Sequence, residues 1–289
     1  MGHNVGLVIP HRDTPEVLDR CLKTLFQALR SEKWADRVQV LIVDDASEKA
    51  GAHRYFESQF AETGAKVLKL IRRHGFTGAA NAGIDQLIRQ QNAPSIIGIL
   101  NSDLEFPEQD GPKDWLELCL DSLEEDHEDV SGKRNAMVAP MLVMPDGDTI
   151  QWGGEASSLR EPGRHKTGSR KAGDCGARMF VRWHTFACVL IRSDALLHVG
   201  LLAPNLRMYC SDSDWCLRAR DFGYRLVYEP AAFVIHQQSH TIANELQGPN
   251  AQNFRGVLFQ DQQNFFAKWS GKLFDALDQG PVEQWLGPL

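Results

Sequence analysis

In this 289-residue chain, four apolar runs within the first hundred residues each end on side chains able to bind an anion, hold a cation or move a proton. Val5 to Ile9 runs into Pro10-His11-Arg12-Asp13, and Val38 to Val43 into Asp44-Asp45-Ala46-Ser47. Val67 to Ile71 meets Arg72-Arg73-His74-Gly75, and Ile96 to Leu100 meets Asn101-Ser102-Asp103. A carboxylate at such a position can accept from a ring N–H or bind a hard divalent cation. The small residues from Gly75 to Gly83 would let backbone approach a ligand, with Asn81 in the first turns of a helix whose positive end favours phosphate. Each motif has a bland alternative. Polar residues cap helices, small residues permit tight helix packing, and Ser211-Asp212-Ser213-Asp214 reads as a capping box. Four polar strand ends together favour a site, because parallel α/β sheets collect ligands at the carboxyl ends of their strands.

Several familiar chemistries are excluded. The stretch from Gly75 to Gly83 is not G-x-G-x-x-G, and the chain has no G-x-x-x-x-G-K-[ST] loop and no G-x-S-x-G elbow. His236 and His240 lie four apart, but Gln237 follows His236 where a zincin needs Glu. The six cysteines form no C-x-x-C pair, so they read as reduced thiols. With 43% hydrophobic residues the chain can bury a large core, and its net charge of −7 argues against a nucleic-acid partner. No apolar run approaches bilayer length, and the Met1-Gly-His-Asn4 start lacks a signal-peptide pattern. The expectation is a cytoplasmic protein without a membrane span, with peripheral contact at the inner membrane face and a homodimer both left open.

The elements needed to present these residues alternate strand and helix. Val17, Leu18, Cys21, Leu22, Leu25, Phe26 and Leu29 recur at helical spacing behind Thr14-Pro15, a cap followed by proline at the first helical position. Helices are expected over Trp115–Leu123, from Ser193, over Asp212–Phe222 and over Asn250–Leu277. Strands are expected over Met137–Val143, Thr149–Trp152 and Thr185–Ile191, with a short Phe233–Ile235 strand running into His236. Residues 153–179 read as a glycine-rich basic connection. Its cations, with those just beyond it, include Arg160, Arg164, Lys166, Arg170, Lys171, Arg178 and Arg182, either solvated or presented to a phosphate-bearing ligand. In the last helix, Phe254, Leu258, Phe265, Phe266 and Trp269 are available to pack on the body.

Taken in order, the motifs resemble the family 2 glycosyltransferases, most closely the bacterial rhamnosyltransferase-like branch. The resemblance rests on Val8-Ile9-Pro10, Ile42 to Ser47, Gly75 to Gly83, Leu100-Asn101-Ser102-Asp103, Met208 to Arg218, Gly223 to Tyr228, and His236 ahead of Ser239 and Thr241. It implies a GT-A fold: α/β, with a Rossmann-like, mostly parallel central sheet flanked by helices and a C-terminal helical extension. The implied domain spans residues 1–241, with a nucleotide-sugar donor half (1–105) and an acceptor half (106–241). Residues 242–289 would pack on the same body.

The resemblance also implies roles. Donor contacts fall on Pro10, Arg12, Asp45, Gly78, Asn81 and Ser102, with Asp45 on the nucleotide base. Asn101-Ser102-Asp103 is similar to a reduced Asp-x-Asp motif, so Asp103 and the later His236 would ligate Mg2+ or Mn2+. The family's Glu-Asp pair falls on Ser211-Asp212, making Asp212 the general base and Ser211 a departure. Trp152, Ser211 and Asp214 would meet the acceptor. The implied reaction is inverting, metal-assisted transfer from a nucleoside diphosphate sugar to a saccharide or lipid-linked hydroxyl. Two rivals remain: a nucleotide-sugar-binding protein of the same fold with little turnover, and a sugar nucleotidyltransferase.

Overall fold

The computed structural model describes residues 3–48, 64–125, 133–155, 163–174, 176–237, 246–247 and 251–277. Arg160, Ser239, His240, Thr241 and Asn250, named above, lie outside them, as does Cys175, one of the six cysteines. The described elements are β1 (Val5–His11), α1 (Pro15–Ala28), a 3-10 turn (Glu32–Trp34), β2 (Val38–Asp44), β3 (Lys66–Lys69), α2 (Gly75–Ile88), β4 (Ile96–Leu100), β5 (Leu104–Glu105) and α3 (Trp115–Glu124). There follow β6 (Asn135–Val143), β7 (Thr149–Glu155), β8 (Arg164–Ser169), β9 (Met179–Val181), β10 (Cys188–Arg192), α4 (Ser193–Val199), α5 (Ser211–Asp221), β11 (Arg225–His236) and α6 (Ala251–Leu277).

One eleven-stranded sheet runs β3-β2-β1-β4-β10-β6-β11-β5, with β7, β8 and β9 branching off that path. Strand pleating sends alternate residues to opposite faces, which separates the core into two layers. Val5, Leu7 and Ile9 join Leu18, Cys21, Leu22 and Leu25 of α1 and Trp115 of α3. Val8, Leu41 and Val43 join Ala79, Ala80 and Ile84 of α2 and Trp215 of α5 on the other face. The fold is therefore a helix-sheet-helix sandwich. The first four strands are parallel, as their continuous apolar runs indicate. The second half is mixed: β10 runs antiparallel between β4 and β6, and only β6 and β11 pair in parallel there. The expected mostly parallel sheet is thus confined to the first half.

Two other expectations change. The glycine-rich basic stretch carries β8, paired antiparallel with β7, and β9, paired with β11. Arg178 of that stretch is already engaged by Glu229 and Glu125, and Arg170 binds Asp110 at 2.6 Å. The short strand before His236 is the end of the twelve-residue β11. Its register on β6 shifts between Glu229 and Phe233, where Pro230 cannot donate to the ladder, and this break hides the upstream half in sequence.

Helix α1 begins with Pro15 in its first turn, but Thr14 makes no side-chain cap. At the other end of the chain, α6 inserts Phe265 and Trp269 against Leu206, Cys210 and Leu217. Phe254 is also buried, whereas Phe266, one residue round the helix from Phe265, is 44% exposed and does not pack as expected.

The small residues of α2 have a packing explanation at Gly83. A Cβ there would stand 2.5 Å from Val8 Cγ1 and 2.8 Å from Val43 Cγ2. Gly83→Ala should therefore lower the urea midpoint by the equivalent of ~1–3 kcal/mol through overpacking. An unchanged midpoint would show that the α2–sheet contact is looser than these distances.

Candidate functional site

The carboxyl ends of β1, β2 and β4 open into a cleft of about 370 Å³. Pro10, Arg12, Asp45, Ser102, Asp103, Ser211, Asp212 and His236 all line it, so residues spread over more than two hundred positions converge on one space.

On the β2 side, Asp45 is nearly buried. Its Oδ1 accepts the His74 N–H at 2.6 Å and its Oδ2 the Gly75 N–H at 2.8 Å, which pins the α2 N-terminus to the strand end. Gly75 itself has φ +78 and packs against the Arg207 carbonyl, where a Cβ would come within 2.7 Å. Arg12 donates to the Asp45 carbonyl at 2.7 Å and also to that of Ala46. It lies 3.2 Å from carboxylate oxygens of Asp13 and Glu48. Arg12 thus shapes the β2 turn as well as facing the cleft.

Asp103 and His236 are brought together by antiparallel pairing of β5 with β11, in which His236 stands opposite Leu104. The Gln237 N–H also donates to the Asp103 carbonyl at 3.0 Å. His236 Nε2 consequently lies 3.5 Å from Asp103 Oδ1. Neither ring nitrogen of His236 makes a hydrogen bond to a described residue. Among the described residues no group of three His, Cys, Asp or Glu side chains is placed to hold a metal ion.

Asp212 reaches the cleft from the first turn of α5. The helix is entered through Cys210, whose φ of 66 is the left-handed conformation that L-residues seldom adopt. Burial raises the Asp212 carboxyl from 3.8 to about 6, against the opposing pull of hydrogen bonds that include the Ser213 N–H at 2.8 Å. The turn leading to Cys210 is held from two sides. The Thr77 N–H donates to the Arg207 carbonyl at 3.0 Å, and Asp261 of α6 accepts the N–H groups of Arg207, Met208 and Tyr209 at 3.0, 2.7 and 2.9 Å.

Four expected site residues stand outside the cleft lining, each with another task. Gly78 lies within α2, where a Cβ would meet His74. Asn81 clamps Leu202, donating to its carbonyl at 2.8 Å and accepting its N–H at 3.1 Å. Trp152 packs with the sheet core near Tyr228, while its pleat neighbour Gln151 faces the cleft. Asp214 is fully buried and binds Arg218 at 2.8 Å, the Trp269 indole N–H at 2.9 Å and Lys268 at 2.5 Å. The capping box does not form, because Ser211 is the first helical residue and the cap position belongs to Cys210.

Arg73, from the polar end of β3, lines the cleft as well, and so do residues that the sequence did not single out: His165, Trp183, Phe186 and Tyr209. His165 meets Trp183 edge-on with ring centroids 4.9 Å apart, and burial together with nearby His236 lowers its pKa to about 4. His11 is similarly buried and lowered to about 4. His165 lies on β8 and Trp183 just beyond β9, so this part of the wall could be found only by a reading that recognised those strands.

Comparison with known proteins adds the following. Residues 7–177 match the model for "Glycosyl transferase family 2". An uncharacterized protein, y4gI, of Sinorhizobium fredii is 25% identical over 83% of this chain, and the chain spans a quarter of that relative's length. An N-acetylglucosaminyl-diphospho-decaprenol L-rhamnosyltransferase of Mycobacterium tuberculosis is 24% identical, over 72% of this chain and 69% of its own. Among solved structures, GalNAc-T7 with UDP, GalNAc and Mn2+ superimposes with TM-score 0.61 at 14% identity, over 81% of this chain and 44% of that one. A mannosyltransferase from Pyrobaculum calidifontis in complex with GDP-Man and Mn2+ gives 0.55 at 13% identity, over 98% and 77%. These likenesses show that the fold is of the GT-A type.

The position of Asp212 makes an electrostatic prediction. Its folded pKa of about 6 exceeds the ordinary 3.8, so the folded chain binds more protons than the unfolded one between those values. The contribution of this group favours folding below about pH 4 and is lost as pH rises through about 6. Asp212→Asn removes the desolvated charge and should be more stable than the parent by ~1–3 kcal/mol at pH 7.5, with the gap closing towards pH 4. Equal urea midpoints at both pH values would contradict the burial of this charge.

Proposed function

The chain belongs to glycosyl transferase family 2, and from that premise we propose that it is an inverting, metal-assisted glycosyltransferase. It takes a sugar from a nucleoside diphosphate and delivers it to a hydroxyl of a saccharide or lipid-linked acceptor. The observation that carries this reading is the convergence on one cleft of the β1 and β2 ends, the Asp103–His236 pair, and Asp212.

Asp103 and His236 fit a divalent cation, Mg2+ or Mn2+. They supply a carboxylate oxygen and an imidazole nitrogen 3.5 Å apart, and the imidazole is not consumed by hydrogen bonds to described residues. With two protein donors, the donor's diphosphate oxygens would complete the coordination. The bound cation would offset the negative charge that develops on the leaving diphosphate. Support for such a cation also comes from the Mn2+ and nucleotide or sugar ligands of the two structural relatives.

Arg12 and Asp45 hold the strand-end turns that face the nucleotide. On the acceptor side, Asp212 takes the hydroxyl proton as the acceptor oxygen bonds to the anomeric carbon. The bond from that carbon to the diphosphate oxygen breaks, and the diphosphate leaves with the electron pair. Attack opposite the leaving group inverts the centre. A base whose pKa lies near 6 is ionised at neutral pH yet stronger than an ordinary aspartate. Ser211, in place of the family's glutamate, gives the acceptor a hydroxyl contact rather than a second carboxylate.

Thermal shift against nucleoside diphosphate sugars tests the reading, because a ligand confined to the folded state raises the melting temperature. Stabilisation by the correct donor should require Mn2+ or Mg2+, and Asp103→Ala should abolish the metal-dependent part. Donor stabilisation identical with and without divalent cation would reject the metal role.

Turnover isolates the base. Asp212→Asn should keep donor binding while transfer falls by ~10²–10⁴-fold, and parental kcat/KM should rise with pH to a plateau above about 6. Metal-dependent donor binding with near-parental transfer by Asp212→Asn would move the base elsewhere. Donor binding with no transfer by the parent to any acceptor would favour a nucleotide-sugar-binding protein.

A further inference from the structure

Trp183 is only 4% exposed, yet its indole borders the cleft that Asp212 enters. It lies beyond the 7–177 segment matched by the family model. Its backbone is tied to the helix that carries Asp212. The Cys216 thiol of α5 donates to the His184 carbonyl at 3.7 Å, and Phe186 packs on Trp215 of α5 with ring centroids 5.9 Å apart. The indole itself is covered by β8 and the residue before it. A Cβ on Gly163 would stand 2.5 Å from Trp183 Cζ2 and 2.8 Å from its Nε1, so the missing side chain lets backbone lie directly against the ring. His165 meets the same ring edge-on.

The indole N–H approaches the Asp212 carboxylate, where it is one of the hydrogen-bond donors that oppose desolvation. The contact is loosely aligned, because the buried Nε1 completes no well-directed hydrogen bond to a described residue. Hydrogen bonds to a catalytic group commonly tighten only when substrate is bound. Asp212 Oδ1 already accepts the Ser213 N–H at 2.8 Å, so the helix fixes one oxygen. A donor from a second element fixes the plane of the carboxylate, whose terminal torsion is otherwise broad.

We propose that Trp183 is a positioning residue for the base, its indole N–H holding the Asp212 carboxylate in the orientation that meets the acceptor hydroxyl. An indole N–H is a donor only, so it pairs with the ionised carboxylate and cannot take the proton itself. Being neutral, it offsets desolvation without the larger loss of basicity that a guanidinium or ammonium in its place would cause. The neighbouring Cys210 and Cys216 thiols are raised by burial and stay neutral, as do His11 and His165, both lowered to about 4. Arg12, Asp45, Arg73, Asp103 and His236 line the same cleft. The assignment rests on the glycosyltransferase reading, with Asp212 as its base, and adds what orients that base.

Carbon-13 NMR of the aspartate carboxyl groups titrates Asp212 directly, without nucleotide sugar, acceptor or divalent cation, and Asp212→Asn identifies its signal. In Trp183→Phe, which keeps an aromatic ring but loses the N–H, the Asp212 midpoint should rise by about one pH unit. Loss of packing alone would admit water to the carboxylate and move the midpoint down, so the sign separates the two roles. Gly163→Ala, which keeps Trp183 but displaces its ring, should also move the midpoint up. In transfer assays of Trp183→Phe, the acidic limb of kcat/KM should shift upwards by the same interval and the plateau should fall by ~10–100-fold, with metal-dependent stabilisation by nucleotide sugar retained. Circular dichroism and melting temperature verify that each variant is folded. An unchanged or lowered Asp212 midpoint in folded Trp183→Phe would overturn the contact. A raised midpoint with an unshifted kcat/KM limb would overturn its part in transfer. No transfer by the parent to any acceptor would reject the glycosyltransferase reading, and the NMR titration would still decide whether Trp183 holds Asp212.

Discussion

A single buried carboxylate governs the geometry of the acceptor side. Asp261 accepts three consecutive backbone N–H groups, those of Arg207, Met208 and Tyr209, from a segment with no regular structure of its own. Those N–H groups would otherwise be costly to remove from water. Satisfying them from α6 lets the segment run close beneath the helix and reach Cys210 in a left-handed conformation. That conformation starts α5 where Asp212 enters the cleft. Thr77 and Met208 tie the same segment to α2, whose own N-terminus is fixed by Asp45. The donor-side strand end, the proposed base and the C-terminal helix are consequently one connected unit.

The parts of this fold that were legible in sequence are those dictated by local patterning. Continuous β-branched runs disclosed the parallel strands β1, β2 and β4, and helical spacing disclosed α1, α3 and much of α6. The second half was less legible because its strands owe their positions to pairing partners. β8 has the sequence Arg164-His165-Lys166-Thr167-Gly168-Ser169, with little apolar alternation, and exists as a hairpin arm of β7. β11 is broken at Pro230, where one continuous pairing with β6 is interrupted and resumed. Neither feature leaves a period for sequence analysis to detect.

The site divides along similar lines. Pro10, Arg12, Asp45, Ser102 and Asp103 were legible because they stand at strand ends, where a parallel sheet collects its ligands, and Asp212 and His236 only through the family resemblance; all seven line the cleft. Residues within elements were not, because the face that a residue presents depends on packing. Asn81 lies on the side of α2 turned towards Leu202, and Asp214 lies on the side of α5 turned towards Trp269. In both cases the polar side chain joins elements instead of meeting a ligand. Trp152 and Gln151 show the strand version, since adjacent residues of β7 take opposite faces and the more conspicuous one is turned inwards.

The half-buried Asp212 and the buried Asp214 separate two demands that one residue could not meet. A base for a hydroxyl proton benefits from a raised pKa, and Asp212 obtains it through burial, with no cationic partner among the described residues. The same burial makes its ionised form costly at neutral pH. Asp214, two residues away, is held in the opposite way, by Arg218, Lys268 and the Trp269 N–H, while Arg218 also donates to carbonyls of Val199 and Leu201 at 2.6 and 2.8 Å. A neutral Asp214 would lose those charged contacts, and a paired Asp212 would lose its elevated basicity. The Arg218 and Lys268 contacts of Asp214 therefore anchor α5 at Asp214, and the helix can carry the half-buried, desolvated carboxylate of Asp212 into the cleft because its other face is held so firmly.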